Sequence, residues 1–490
     1  MPDPLPTQPV GRRRWWLRLV LVAVGFLVLL AGAYWWHLWT IRSAGLELNQ
    51  KVLAEQAAAG LGSSPSDLIA TAPTVDATLQ ARYKVWDAQF RKSPVPEWTN
   101  VLQQAMATSG GVSTPSPADV EHALISAKPA LDEVADILRG GNLQLSVLAW
   151  VKTEVPDPDK ATFSQLLACF SPSLLAVRHA GNGFVCRARA ASDSTADLAD
   201  LDHLVTALDR PSSLIDSMIS IAVRRIRDQC YLALEREGRL PASARESWNA
   251  APLDDLRLIA DGFRGERLLL NVPLNRMLID GTWDNTTDNV AVPDNEIPYR
   301  TGGYLFRLTF HIANWTNGPG DMAAAFRWLA ESEQACRAGK SPKFTGSEDA
   351  DVKEVFGHQT VIATLTPNMC ESAITALHAL NQRRLLRLAG KILVLQRKDH
   401  ALPANEDALV AIAGQTELEA GPSRYQLRYE RLTPTRFRVS VDPTVTPDGW
   451  PSNIILPRLK GISALGTAKV KTLPALLIRE GVIEAEVIAP

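Results

Sequence analysis

The chain has 490 residues, which is enough for two to four domains and for a sizeable apolar core. Its 46% hydrophobic and 21% charged residues are ordinary for a globular protein. The 51 basic and 53 acidic residues nearly cancel, so the composition predicts neither a nucleic-acid-binding surface nor an acidic tail for a cationic partner.

The N-terminal region contains a long apolar run behind a basic tail. No Asp, Glu, Lys or Arg lies between Leu19 and Ile41, and at about 1.5 Å per residue this run matches a ~30 Å hydrocarbon layer. Aromatic residues flank the run on both sides and predict two interfacial belts. We predict a cytoplasmic tail over residues 1–14 and a transmembrane helix over 15–40 that contacts the lipid bilayer. The residues that define this anchor are Arg12, Arg13, Arg14, Trp15, Trp16, Trp35, Trp36 and Trp39.

The distribution of basic residues predicts the orientation of this anchor. They cluster before the span, so the N-terminus is expected in the bacterial cytoplasm and the bulk of the chain in the periplasm, anchored in the inner membrane. A cleaved signal peptide is the alternative, because Ala31-Gly32-Ala33 has the small-x-small form of a cleavage site. We favour retention, since the second aromatic cluster continues the span beyond that point. No later stretch is long and apolar enough to cross, so one crossing is predicted.

Helical patterns dominate the region beyond the anchor. Residues 41–63 are predicted to form a helical stalk, and 64–262 a helical domain with helices near 74–92 and 117–139 and three more between 173 and 238. The last of these is amphipathic, and we expect its charged residues Arg224, Arg227 and Asp228 to lie off the buried face. The predicted buried face consists of Ile215, Ile219, Ala222, Ile226, Cys230 and Ala233.

The C-terminal half predicts less regular structure. Residues 263–366 form a mixed α/β segment, in which 305–312 fits a strand or a helix. Residues 367–445 predict a long helix near 371–399, a short acidic helix and a β-hairpin with strands at 425–430 and 436–441. Residues 446–490 predict an extended tail packed on the body. The fold class is therefore mainly α with a smaller α+β part: a transmembrane helix, an exported helical domain and a C-terminal helix-plus-hairpin module.

Three arginines of the long helix, Arg383, Arg384 and Arg387, fall off its apolar face. A solvated helix face is the favoured interpretation. The alternative is a site for an anionic headgroup or a peptidoglycan carboxylate.

Two helices end in similar sequences 162 residues apart, Leu234–Pro241 and Gln396–Pro403. A shared helix-stop signal is favoured over a duplicated unit, and both explain the echo. The long helix with its Leu402-Pro403 turn, the acidic Glu406-Asp407 helix and the alternating strands resemble, over residues 384–442, the periplasmic part of pseudopilin-like proteins. That family's cleavage glycine and following glutamate are missing from the N-terminal span, so the resemblance implies a shared module and not a pilin. The whole chain resembles bacterial membrane-anchored proteins of no assigned activity.

Candidate catalytic and metal sites are sparse. The sequence contains no H-E-x-x-H zinc motif, no phosphate-binding P-loop and no G-x-S-x-G nucleophile elbow. Asp200, Asp202 and His203 could ligate a metal, but acidic residues at a helix start also complement its dipole. Asp284 and Asp288 offer oxygen ligands, but Asn and Asp equally form turns. The structural interpretation is favoured for both groups, and no cofactor is predicted.

The cysteines predict neither a zinc site nor a disulfide scaffold. The chain contains no C-x-x-C pair, and the odd count leaves at least one thiol unpaired. We expect them to be buried as small apolar side chains. The five are Cys169, Cys186, Cys230, Cys336 and Cys370.

These features predict a membrane-anchored scaffold or assembly factor that binds another envelope protein. A periplasmic hydrolase acting on envelope material is the first alternative, and it predicts that groups such as His203, His311 or His358 converge in one pocket. A ligand-binding or sensor module is the second, and it predicts an apolar pocket with a few polar groups. No motif assigns a catalytic residue, and an enzyme is the less favoured class.

Overall fold

The computed structural model describes residues 10–72, 75–91, 95–106, 115–141, 143–161, 165–166, 174–280, 303–342, 369–414, 418–448, 450, 455, 476–479 and 481–487. The N-terminal helices are α1 (Val10–Ala58), α2 (Pro65–Ile69), α3 (Ala77–Arg91), α4 (Trp98–Met106), α5 (Pro117–Arg139), α6 (Val147–Glu154), α7 (Leu174–Ala190) and α8 (Thr195–Ala207). They are followed by α9 (Leu214–Arg236), α10 (Ala242–Ala250), α11 (Asp255–Gly265), a π-helix (Glu266–Asn271), α12 (Val272–Asp280), α13 (Gly303–Arg337), α14 (Met369–Asp399) and α15 (Glu406–Ala413).

Four strands form one small antiparallel sheet near the C-terminus. They are β1 (Leu427–Thr433), β2 (Arg436–Val441), β3 (Leu476–Arg479) and β4 (Val482–Glu486), in the order β1-β2-β4-β3. The described chain is therefore mainly helical with a small antiparallel sheet, which confirms the coarse fold class predicted from the sequence. Residues 305–312, which fitted either state, belong to helix α13.

Local sequence signals define both ends of helix α5 close to their predicted positions. The hydroxyl of Ser116 accepts from the backbone N–H of Asp119 at 3.1 Å, and the Asp119 carboxylate accepts in return from the Ser116 N–H at 3.0 Å. This reciprocal capping box, with Pro117 at the first helical position, starts α5. Gly141 follows the end of α5 with a φ of +80°, a conformation that glycine adopts without strain.

The central helix α9 buries charged residues in addition to part of the predicted apolar face. Ile215 is 62% exposed, whereas Arg224, Arg227 and Asp228 are buried against the neighbouring helices α11 and α14. Cys230 and Ala233 are buried as predicted, and Ile219 and Ile226 pack against the core. The assignment is wrong at Ile215 and at the charged residues, because α14 brings an arginine of its own to this interface and the resulting ion pairs admit charged residues to the core.

The C-terminal sheet packs against α14 through β2 and β4. The predicted hairpin is present as β1 and β2, and residues 476–487 of the predicted tail add β3 and β4 beside β2. Glu484 is 1% exposed at the centre of this sheet, where Arg438 pairs with it at 2.7 Å. The larger of two clusters of buried apolar side chains extends from Val52 of α1 to Val487 after β4, and the smaller one lies between α2, α6 and the π-helix.

The two echoed helix ends fold alike and lie side by side. Gly238 and His400 occupy equivalent positions after α9 and α14, and both have a positive φ, +72° and +54°. A Leu-Pro dipeptide follows each turn, and a short helix follows each proline. The carboxylate of Glu235 pairs with Arg245 at 2.6 Å and also with Arg397, so the two ends share one buried anion.

Candidate functional site

Helix α1 changes character abruptly along its length. Among the described residues, one helix is long and apolar enough to cross a membrane, the part of α1 from Arg18 to Ala58. Its most apolar 18-residue stretch has a mean hydropathy of 2.2 and contains no buried residue. A helix of this kind near the N-terminus is compatible with a membrane anchor or a signal sequence. Trp15, Trp35, Trp36 and Trp39 are all more than half exposed. The side chains of Arg12, Arg13, Arg14 and Trp16 lie outside the described set.

A buried stripe begins at Leu38 and continues to the end of α1. It recurs every three or four residues, the spacing of one helix face, and packs along α13: Leu38, Arg42, Gly45, Asn49, Val52 and Gln56. The region predicted as a stalk is thus helical to Ala58 and joined to the body along its length. The two helices run parallel, since Arg42 contacts Trp315 and Gln56 contacts Phe326.

Backbone and amide contacts fix α1 against α13. A Cβ on Gly45 would lie 2.8 Å from the backbone N of Gly320, so the helices approach too closely there for any side chain. Four residues on, Asn49 and Asn275 of α12 exchange side-chain hydrogen bonds of 2.7 and 3.1 Å. Asn49 also donates to the carbonyl of Pro319.

Arg42 makes further contacts between α1 and α13, close to Trp35 and Trp315. Pro319 lies inside α13 and has no N–H, so the carbonyl of Trp315, four residues earlier, lacks its helical partner. Arg42 donates to that oxygen at 2.6 Å and to the carbonyl of Ile279 at 2.9 Å. Its guanidinium also lies 4.8 Å from the Trp315 ring, which stacks on Trp35. One side chain therefore joins α1 to α12 and α13.

A buried ion network lies at the centre of the body. Arg383 of α14 donates to Asp228 of α9 at 2.8 Å and to Asp255 of α11 at 2.9 Å, and all three side chains are 0–1% exposed. Arg227 shares Asp228 and reaches Asp202 at 3.3 Å. The predicted solvated face of α14 is therefore wrong at Arg383.

The two neighbouring arginines are buried as well. Arg384 donates to the side chain of Asn381 and to the carbonyl of Tyr425, each at 2.9 Å, and so ties α14 to the segment before β1. Arg387 is 9% exposed, and burial lowers its pKa to about 10 despite the nearby Asp228. These arginines stabilise the packing of α14 and do not form an exposed headgroup-binding face.

The electrostatics of the network follow from burial and pairing. Burial alone would raise the pKa of Asp228, but Arg383 and Arg227 outweigh it and hold that pKa below the ordinary value. At Asp255 burial prevails over Arg383 and Arg224, so its pKa is raised. The guanidinium of Arg383 faces two acidic partners, which outweigh its own burial and raise its pKa. The network borders a cavity of about 350 Å³ between α8, α9, α10 and α14.

No family model matches this chain. Searches of curated proteins and of solved structures also found no similar protein.

The metal candidates Asp200, Asp202 and His203 have different surroundings in the structure. Asp200 is fully buried and pairs with Arg139 at 2.7 Å, while Asp202 accepts from Arg227 and from the Tyr231 hydroxyl at 2.8 Å. His203 is exposed. Within the described residues, no group of three or more His, Cys, Asp and Glu could hold a metal ion. Asp284, Asp288 and His358, and the side chain of His311, lie outside the described residues.

The predicted burial of the cysteines is confirmed at three positions. The thiols of Cys186, Cys230 and Cys336 are buried and unpaired. Burial raises the pKa of Cys186 to about 11 and those of the other two to about 12, so all three are thiols at neutral pH. Cys169 and the side chain of Cys370 lie outside the described residues.

A buried carboxyl group that the sequence did not single out lies at the start of α9. Glu266, the first residue of the π-helix, accepts from the backbone N–H of Leu214 at 3.0 Å. Burial raises its pKa to about 7, opposed by that hydrogen bond and reinforced by the nearby Asp216. No local pattern marks Glu266, because its hydrogen-bond partner at the start of α9 is 52 residues away along the chain.

We expect Glu266→Gln to change the pH dependence of folding. A carboxyl whose pKa is raised on folding stabilises the protein fully below its unfolded pKa, near 4.5, and loses this contribution as the pH rises through about 7. The wild type should therefore lose roughly 2 kcal/mol between pH 5 and 8 that the glutamine variant keeps. Urea unfolding of both proteins at the two pH values measures this difference, and the exposed Glu121→Gln serves as control. Parallel pH profiles for wild type and Glu266→Gln would contradict the prediction.

Proposed function

We propose that this protein is a bacterial inner-membrane scaffold or assembly factor with a cytoplasmic N-terminus and a periplasmic body. The observation that carries the proposal is the change at Leu38: α1 is exposed before this residue, over a length that suits a bilayer, and packed into the body after it. A side chain such as Leu29, 72% exposed, is stabilised by lipid and not by water. The positive-inside rule applied to the arginines before the span supports the orientation.

The rigid mounting of the body supports a scaffold. Because Arg42, Gly45 and Asn49 fix α1 to α12 and α13, the body is held at a set angle to the proposed span. Such a mount presents a surface to another envelope protein at a constant height above the membrane. The near-neutral net charge of −2 favours a protein partner over nucleic acid.

A reporter fusion tests the proposed topology. We expect an enzyme that is active only outside the cytoplasm to be active when fused after Pro490 of the full chain. The same enzyme fused after Arg14 should be inactive, because that position precedes the span. The full chain should also pellet with membranes and resist carbonate extraction, which tests the anchor separately from the orientation. The reverse pattern of activities would overturn the orientation, and release by carbonate would overturn the anchor.

In-cell photo-crosslinking tests the scaffold function. A photoreactive residue replaces Val85, Ile125 or Ile215, which are 76%, 65% and 62% exposed on three helices of the body. We expect the same envelope proteins to be captured by the full chain and by a chain whose residues 15–36 are replaced by an unrelated apolar span. The exposed Lys398 serves as a further position on another face. Absence of any crosslink above background at all four positions would overturn the proposal.

A further inference from the structure

A cavity of about 420 Å³ lies between α4, α7, α9 and α14. This volume is within the range of roughly 300–1,000 Å³ typical of ligand sites. Its lining contains Arg178 and Arg225 and no Asp or Glu. Arg178 and Thr375 are exposed, so the cavity opens to solvent and an extended chain could enter it.

The two cations of this cavity differ from the other arginines of the same region. Arg224 and Arg227, which flank Arg225 on α9, each pair with two aspartates. Arg178 and Arg225, in contrast, have no hydrogen bond or ion pair with any residue of the described ranges. Two guanidinium groups in one cavity without a carboxylate are complementary to an anion, which Arg binds through paired charge-assisted hydrogen bonds.

A buried amide adds an independent sign of a ligand. Gln382 is 3% exposed and lines the cavity, and its Oε1 accepts from the backbone N–H of Gly481 at 2.8 Å. Its Nε2 is thereby left buried with no acceptor in the described part of the chain. Asn182, also 3% exposed, lines the same cavity and offers a second side-chain amide. Since a buried donor without a partner is costly, the Nε2 of Gln382 indicates an oxygen acceptor supplied from outside.

The rest of the lining combines the polar residues Gln103, Gln229, Thr375 and His378 with an apolar, adaptable wall. Met106 of α4 and Met218 of α9 line the cavity together with Ile221 and Ile226. Methionine side chains adjust to different apolar shapes, which suits recognition of a side chain. A ligand that fills this site therefore carries an apolar group beside its anion.

We propose that this cavity binds an acidic peptide segment in which a carboxylate side chain adjoins an apolar residue. Arg178 and Arg225 bind the carboxylate, Asn182 and Gln382 donate to backbone carbonyls, and the methionine wall takes the apolar side chain. The proposal deepens the scaffold function, on which it rests, by assigning the docking site and the chemistry of the partner.

Fluorescence anisotropy on the full chain in detergent tests the site. The probe is a fluorescein-labelled hexapeptide of alternating glutamate and leucine, and a glutamine-leucine hexapeptide is its neutral counterpart. We expect binding of the first and none of the second. Arg178→Glu and Arg225→Glu should each weaken binding about tenfold or more, because each removes a charge-assisted contact. Arg189→Glu, the same charge change on an exposed residue of α7, should leave the affinity unchanged.

The possible results distinguish failure of the assigned docking site from failure of the scaffold function. Equal losses in Arg178→Glu and Arg189→Glu, or binding of the neutral peptide, would overturn the assigned site. If millimolar succinate displaces the peptide and the leucine-containing peptide binds no more tightly than succinate, the site binds small carboxylates. That result would overturn peptide recognition. If the peptide does not bind although in-cell crosslinks persist, the docking site is wrong and the scaffold function stands. If the peptide binds but no crosslink forms in cells, the cavity binds acidic peptides and the scaffold function is wrong.

Discussion

Replacement of Arg383 by methionine is expected to lower the free energy of unfolding by about 3–5 kcal/mol, the cost of leaving a buried charge without its partner. Within the described network, Arg383 is the side chain that forms ion pairs with both Asp228 of α9 and Asp255 of α11. All three side chains are buried. Methionine fills a similar volume, so the loss reports on charge and not on a cavity. Urea unfolding of the full chain in detergent, followed by tryptophan fluorescence, measures it.

Two further variants separate charge from packing in this network. Lys398→Met makes the same charge change on an exposed position of the same helix and should alter stability by less than about 0.5 kcal/mol. Arg383→Met combined with Asp255→Asn should recover part of the loss, because it removes one of the stranded charges. A loss below about 1 kcal/mol in Arg383→Met, or no recovery in the double variant, would contradict the interpretation.

Replacement of Gly45 by leucine is expected to separate α1 from α13. The Cβ alone would approach the backbone of Gly320 to 2.8 Å, and backbone cannot rotate away as a side chain can. The move also stretches the contacts of Arg42 and Asn49 with their partners on α12 and α13. We expect a loss of about 1–3 kcal/mol or more from overpacking, and a wider distance distribution between spin labels on Glu47 and Arg327.

Gly25→Leu is the matched control for this experiment. It lies on the same helix, and no atom of the described residues lies within 4 Å of its Cβ position. We expect the stability and the spin-label distance of the wild type, together with normal membrane association. If Gly45→Leu behaves like Gly25→Leu, the close approach of α1 and α13 does not set the mounting of the body.

Local signals in the sequence determined the elements. The uncharged run of Leu19–Ile41, the capping box at Ser116 and the alternation over 436–441 depend on neighbours a few residues away, so their structures follow from the local sequence. The positive φ at Gly238 and His400 belongs to the same class, because a helix stop is local chemistry.

Tertiary structure alone decided which charges are buried. Apolar periodicity assigned Arg383 to solvent and Ile215 to the core, and both assignments fail, because a charged side chain is buried wherever partners far along the chain compensate it. The Trp315 carbonyl that Arg42 satisfies is 273 residues away, and the walls of the cavity that contains Arg178 and Arg225 come from four separate helices. No local pattern encodes such pairings, since the free energy of a buried polar group depends on what the fold places around it.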